Sequence, residues 1–359
     1  MRCRLGKYFL FVSLVQLILC FKGQAQAPTI PYCGSGNVGP RAPQSDGKNR
    51  PCAPDGQRQY VPRHTGIGFD ILDSESKACF VPDQAYRLLD DLIDTILAKV
   101  KYDVKSSSLL EQAKTISMAV STTLIDKGFA LYIDTETLGD ALVDRNAMAE
   151  PPRRIFDCDT GSLIFLTVAE NLRALVAMVE MPLPNSKNHH NFVRWLQGEG
   201  VLLEWDMNLA SQCKAPSGLT GIEGVSLTYD ETIGYALSLR PNLWNRQGKY
   251  DRALTDFHAS MILYEGADVY NNLAWLIATR EVSNRDILKD EALTAAQHAV
   301  RIWPSANYKD TLACVYALRG EFSTAIKTEE EALAQTYDTE YARHLGLFQM
   351  IPPKDCTGQ

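Results

Sequence analysis

Asp157-Cys158-Asp159-Thr160-Gly161-Ser162, followed by His189-His190-Asn191-Phe192-Val193-Arg194-Trp195 and then by Glu204-Trp205-Asp206-Met207-Asn208, puts a thiol, an imidazole and a carboxylate in order along one short part of the chain. These are the groups required for acyl transfer through a cysteine nucleophile. The local pattern predicts a helix from Cys158 or Asp159 to about Leu172, with Asp157 or Asp159 as its N-cap. A strand is expected at Ala174 to Met181, ended by Pro182 and Pro184, and another at His189–Leu196. Gln197-Gly198-Glu199-Gly200 turns the chain, and Val201–Asp206 returns it. A helix followed by an antiparallel sheet is an α+β pattern.

A thiol at a helix N-terminus meets unpaired backbone N–H groups and the positive end of the dipole, which favour thiolate. The flanking Asp157 and Asp159 work against this. They are expected to point away or to pair with Arg153 or Arg154. Which histidine joins Asp206 depends on the turn. A two-residue loop of Gly198 and Glu199 places Asn191 opposite Asp206 and His190 on the other face. A three-residue loop ending at Gly200 pairs Gln197 with Val201, sets Phe192 opposite Asp206 and makes His190 its diagonal neighbour. The second register is the expectation, because Gly200 suits the left-handed position that such a loop commonly needs.

The helix-initial Cys158, the strand beginning His190-Asn191-Phe192-Val193-Arg194-Trp195 and the next strand ending Glu204-Trp205-Asp206 resemble the transglutaminase-like branch of the papain-like cysteine hydrolases. The likeness covers about 82–215. It implies Cys158 as nucleophile, His190 as general base and acid, and Asp206 as its orienting partner. It also implies an α+β papain-like fold with a helix packed on an antiparallel sheet. Two aspartates stand where this family often has a glycine and an aromatic beside the nucleophile.

Outward from this core, residues 1–27 read as a cleaved export signal. Arg2, Arg4 and Lys7 precede a mainly apolar run of 14 residues, Tyr8–Phe21, and Ala25-Gln26-Ala27 is a small-x-small site. The run is short of the roughly 20 residues that span a bilayer as a helix, so a periplasmic or extracellular protein is expected. Removing it takes away Arg2, Arg4, Lys7 and Lys22 and no acid, which moves the net charge from -7 to -11. No basic patch suggests nucleic acid, and no stable membrane insertion is expected after cleavage. Seven cysteines remain, so at least one thiol is left over, and Cys158 is the choice. Cys33 and Cys52, in the Pro/Gly-rich segment 28–81, are the expected disulfide pair; Cys314 reads as a buried small residue. Regular structure is expected from about Pro82, with helices from there, over Ser106 to about Asp126, and over Thr137–Met148, and a short strand at Ala130–Asp134.

From about Thr232 the chain becomes helical and repetitive. Gly248-Lys249-Tyr250-Asp251-Arg252-Ala253 is echoed by Gly320-Glu321-Phe322-Ser323-Thr324-Ala325. Small residues recur seven positions after each motif alanine: Ser260, Ala299 and Ala332 follow Ala253, Ala292 and Ala325. Residues 232–337 therefore resemble tetratricopeptide repeats, with Pro241 and Pro304 closing units and 338–359 as a tail. Tyr250, Phe257, Tyr264, Tyr270, Trp275 and Trp303 read as packing residues, and Glu329-Glu330-Glu331 as a solvated helix face. The expected function is an exported hydrolase or acyltransferase acting on amide bonds of peptides or proteins, with the repeats holding substrate or a protein partner. The rival is an inactive papain-like scaffold whose repeats bind a peptide or protein. No cofactor or metal is expected. A site built from Cys158, His189, His190 and an aspartate is disfavoured because adjacent strand residues face opposite ways.

Overall fold

A computed structural model describes residues 58–101, 108–131, 137–143, 154–182, 189–198, 200–207 and 224–358. The expected export signal, the Cys33–Cys52 pair, Arg153, and the continuations of the expected strand past Leu131 and of the helix past Val143 lie outside the described residues.

The first half is mixed. Helices α1 (Ile67–Ser76), α2 (Asp83–Val100) and α3 (Leu109–Asp126) lead into strand β1 (Phe129–Leu131) and the short helix α4 (Leu138–Leu142). Strand β2 (Arg154–Phe156) pairs with β1 in parallel and delivers the chain to helix α5 (Cys158–Asn171). Strands β3 (Val176–Pro182), β4 (His189–Gln197), β5 (Gly200–Trp205) and β6 (Val225–Ser226) form an antiparallel sheet in the order β5-β4-β3-β6. Helix α5 packs on β3 and β4, and α3 packs on β5. The mixed α+β class and the antiparallel sheet therefore stand as expected.

Two features of α3 show how the layers lock. Ser117 and Ser121 are four residues apart and so share one helix face. Trp195 Nε1 donates to Ser117 Oγ and Trp205 Nε1 to Ser121 Oγ, each at 3.0 Å. Both indoles are thus buried with their N–H groups satisfied, as burial requires. On the other face of the sheet, Arg194 opposite Glu204 forms a buried ion pair, with Nε to Oε1 at 2.8 Å.

The hairpin corrects the expected register. Gln197 pairs with Gly200 and Leu196 with Val201, so the loop has two residues rather than three, and Gly198 takes the positive φ of 60°. The ladder then shifts: Trp195 pairs with Leu203, Arg194 with Glu204 and Val193 with Trp205. The β-bulge adds one residue to β5 and restores beyond it the alignment that a three-residue loop would have produced. Continued by one position, it sets Phe192 opposite Asp206.

The second half is helical: α6 (Tyr229–Leu239), α7 (Pro241–Arg246), α8 (Tyr250–Leu263), α9 (Ala267–Thr279), α10 (Arg285–Ile302), α11 (Ala306–Leu318), α12 (Phe322–Gln335) and α13 (Thr339–Phe348). Consecutive helices from α7 to α13 pack on one another, and α6 packs on α8. Gly248 and Gly320 turn the chain with φ of 67° and 78° just before α8 and α12, the left-handed turn that favours glycine. Ala253, Ala292, Ala325, Ser260, Ala299 and Ala332 are all fully buried, which fits small residues at helix crossings. Pro241 opens α7 at its first position instead of closing a unit; its missing N–H costs nothing there.

Several expectations are corrected. Helix α1, within the segment read as extended, buries Ile67, Phe69, Ile71 and Leu72. Residues 338–348 are the N-cap and helix α13, with His344 and Phe348 buried, not a tail. Cys314 is bonded to Cys356 across a sequence separation of 42 residues. Glu329 is fully buried, not solvated. Of the aromatics, Phe257 and Tyr264 are buried, while Tyr250, Tyr270, Trp275 and Trp303 pack partly exposed against the core. One continuous apolar core includes residues from Ile67 to Phe348, spanning both halves. No described helix is long and apolar enough to cross a membrane.

Candidate active site

Helix α5 begins at the thiol because of Asp157. Its carboxylate accepts from the Thr160 N–H at 3.0 Å, and Thr160 Oγ1 accepts from the Asp157 N–H at 3.1 Å, which is a capping box. Gly161 is required one turn in, since a Cβ there would meet the Phe156 ring at 2.8 Å. The cap and this close approach hold Cys158 at the first helical position, where backbone N–H groups are unpaired. Cys158 is partly exposed and is the free cysteine among the described residues; Cys79 is disulfide-bonded.

His190 and Asp206 meet. His190 Nε2 lies 2.7 Å from Asp206 Oδ2, with the two side chains 16% and 7% exposed. This bond occupies Nε2 and leaves Nδ1 as the ring nitrogen open to a proton. Burial opposes charge on His190. The hydrogen bond and charge of Asp206, together with Asp159, outweigh it and raise the imidazole above its ordinary value.

Cys158 reaches the same end of the sheet by a backbone contact. The Asn191 N–H, one residue past His190, hydrogen-bonds to the Cys158 sulfur. The structure thus joins His190 to Asp206 directly and sets Cys158 against the peptide that follows His190. His189 opens β4.

Of the two flanking aspartates, Asp159 departs from the expectation. Asp157 spends its carboxylate on the helix cap. Asp159 does not point away: the Cys158 S–H donates to Asp159 Oδ1 at 3.1 Å. Arg154 instead donates to Lys127 O at 2.8 Å. Burial, then Asp159 and Asp157, pushes the Cys158 thiol well up, and the Asn191 N–H opposes them. These neighbours favour the thiol over the thiolate.

Asn191 and Tyr235 are site residues to which sequence reasoning gave no role, and both meet Asp159 or its partner beside the thiol. Asn191 Nδ2 donates to Asp159 Oδ1 at 2.5 Å and to Tyr235 Oη at 2.7 Å. Asn191 is fully buried, and its Oδ1 has no hydrogen-bond partner among the described residues. Tyr235 comes from α6, so the first helix of the C-terminal half reaches the thiol's surroundings. Tyr264 of the same half bonds to Glu180 on β3. The only available signal was Asn191 immediately following His190 on a strand. Its side chain then lies on the opposite face, toward α5, while its N–H stays with the sulfur. An open cavity of about 750 Å³, lined by Leu97, Ile116, Leu172, Leu196 and Leu202 among others, is not lined by Cys158, His190 or Asp206.

These groups can do acyl-transfer chemistry in outline: a thiol, an imidazole held by a carboxylate, and N–H groups at a helix start. No protein-family model matches the chain, and no curated protein matches it.

Proposed function

We propose that this protein is an exported cysteine hydrolase or acyltransferase of the transglutaminase-like type, with Cys158 as nucleophile, His190 as general base and acid, and Asp206 as orienting carboxylate. The observation that carries this reading is the 2.7 Å contact between His190 Nε2 and Asp206 Oδ2, made beside the residue whose N–H bonds the Cys158 sulfur. His190 takes the thiol proton while sulfur attacks an amide or ester carbonyl carbon. The tetrahedral intermediate collapses as His190 returns the proton to the departing amine or alcohol. Water or an amine then attacks the thioester, again losing a proton through His190, and sulfur leaves as the thiol. The papain-like arrangement is supported by α5 packing on the antiparallel sheet. Tetratricopeptide-like pairing in the C-terminal half is supported by the turns at Gly248 and Gly320 and the buried small residues that follow them. Peptides or proteins are the proposed substrates, with the helical half as the partner-binding part.

A second reading, an inactive scaffold, is favoured by one observation: the Cys158 S–H is bonded to Asp159, which disfavours thiolate. Acylation distinguishes the two. Native protein incubated with p-nitrophenyl acetate should gain one acetyl group on Cys158 by intact-mass and peptide analysis. Cys158→Ala should abolish the adduct, and His190→Ala should slow it by about 10²–10⁴, the usual contribution of a positioned base. No adduct at Cys158 together with no p-nitrophenolate release above that of Cys158→Ala, or equal acylation in His190→Ala, rejects the enzymatic reading.

A further inference from the structure

The helical half buries a second cluster of reactive groups, far along the chain from Cys158 and built from three helices. Helix α11 supplies Asp310, α12 supplies Glu329 and α13 supplies His344, and their side chains are buried. One ligand atom from each lies within 4.8 Å of the others. His344 Nδ1 is 2.6 Å from Asp310 Oδ1. Both Glu329 oxygens are buried with no protein donor among the described residues, and burial together with the facing Asp310 carboxyl pushes Glu329 up to about 9. Among the described residues, no lysine or arginine pairs with Asp310 or Glu329. Two carboxyl groups have thus been taken out of water with a single imidazole against Asp310 and no lysine or arginine ion pair, a costly arrangement unless something further positive or a proton joins them.

We infer that Asp310, Glu329 and His344 form a binding site for a divalent metal ion of the zinc class. One imidazole nitrogen and two carboxylate oxygens are a donor set that zinc accepts, with a further position left for water. The ion takes the place of the His344 Nδ1 proton, which is released on binding. The neutral ring then carries its proton on Nε2. That nitrogen now accepts from Arg343 Nη2 at 2.8 Å, and it has Glu340 Oε1 3.5 Å away. With the ion bound, Arg343 turns aside and Nε2–H donates to Glu340, the outer carboxylate that metal-bound histidines commonly use. The Cys314–Cys356 disulfide lies beside the same ring nitrogen, with Cys314 Sγ 3.7 Å from His344 Nδ1, and ties the chain end to α11 next to the cluster. The site therefore ties α11, α12 and α13 together, independently of the chemistry at Cys158.

The test uses the full chain, isolated without chelator from zinc-supplemented medium, with bound metal measured by mass spectrometry of the elements. About one zinc per chain should co-purify, as a three-ligand site of this type predicts. Glu329→Gln, which keeps the side-chain shape, should lose it while retaining the wild-type circular dichroism spectrum. Zinc returned to chelator-stripped wild type should raise its melting temperature by several degrees, with no rise in Glu329→Gln. Should Glu329→Gln fail to fold, Asp310→Asn carries the same comparison. Folded wild type that takes up no zinc, showing that a shared proton alone joins the carboxyls, overturns the inference. So does zinc retained equally by the variants.

Discussion

Replacing Asp159 by Asn should make the Cys158 thiol more reactive. Asp159 Oδ1 stands 3.1 Å from the sulfur and accepts its proton, so it stabilises the thiol and repels the thiolate. Two unit charges at that distance repel by about 5 kcal/mol at an effective dielectric of 20. Cys158 is only partly buried, and solvent screening reduces the effect. A surviving contribution of about 1.4–2.8 kcal/mol corresponds to a ten- to hundredfold larger thiolate population at fixed pH, since each 1.4 kcal/mol is about tenfold. Asparagine keeps an oxygen that can accept from Asn191 Nδ2, so the 2.5 Å contact can survive the exchange. The assay is the second-order rate of iodoacetamide alkylation at neutral pH, with the modified peptide identified by mass spectrometry. Asp157→Asn is the comparison: its carboxylate is already spent on the Thr160 N–H and Oγ1, so its effect on the rate should be smaller. Unchanged or slower labelling of a folded Asp159→Asn protein refutes the view that Asp159 suppresses the thiolate. It would instead make Asp159 the group that draws the proton off.

Two further predictions concern the groups around the sheet. Arg194→Ala removes the ion-pair partner of the buried Glu204 and should cost up to about 3–5 kcal/mol of stability, read as a lowered urea midpoint; the double change Arg194→Met with Glu204→Leu should recover most of it. Asp206→Asn should destabilise the protein more at pH 5.5 than at pH 9. His190 has a raised folded-state value, so its stabilisation is fully present below the ordinary histidine range and is lost as pH rises through the raised value. Equal losses of melting temperature at the two pH values would reject that assignment.

How far the sequence could be read is clearest at particular residues. Helix α5 was readable because Asp157 and Thr160 form a capping box immediately before an apolar run. The strands were readable from their alternation, but the His190–Asp206 contact was expected from a three-residue loop that the hairpin lacks, and it forms because the bulge restores that alignment. The loop length was not, since Gly198 and Gly200 each offer a glycine to the turn, and a bulge leaves no local signature. Strand β2 has three residues and a parallel partner, too little pattern to announce itself. Helix α1 escaped notice because it is short and buried by distant elements: Ile67 N–H is bonded by Glu170 and Gly68 N–H by Thr167. Glu329 misled because a run of three acids reads as solvated when one helix is considered alone. Its surroundings, Asp310 and His344, come from the helices on either side. The Cys314–Cys356 pair was hidden for the same reason.

The extra residue near Leu202 has a practical meaning. Any change of length at Gly198–Glu199 is taken up before the strands reach the acid and the imidazole, so the tip of the hairpin is mechanically decoupled from its business end. A short epitope or a fluorophore-bearing peptide spliced between those two positions would ride on the molecule as a passenger, and deleting Leu202 would remove the bulge while leaving Trp195 opposite Leu203 and Asp206 on its present side.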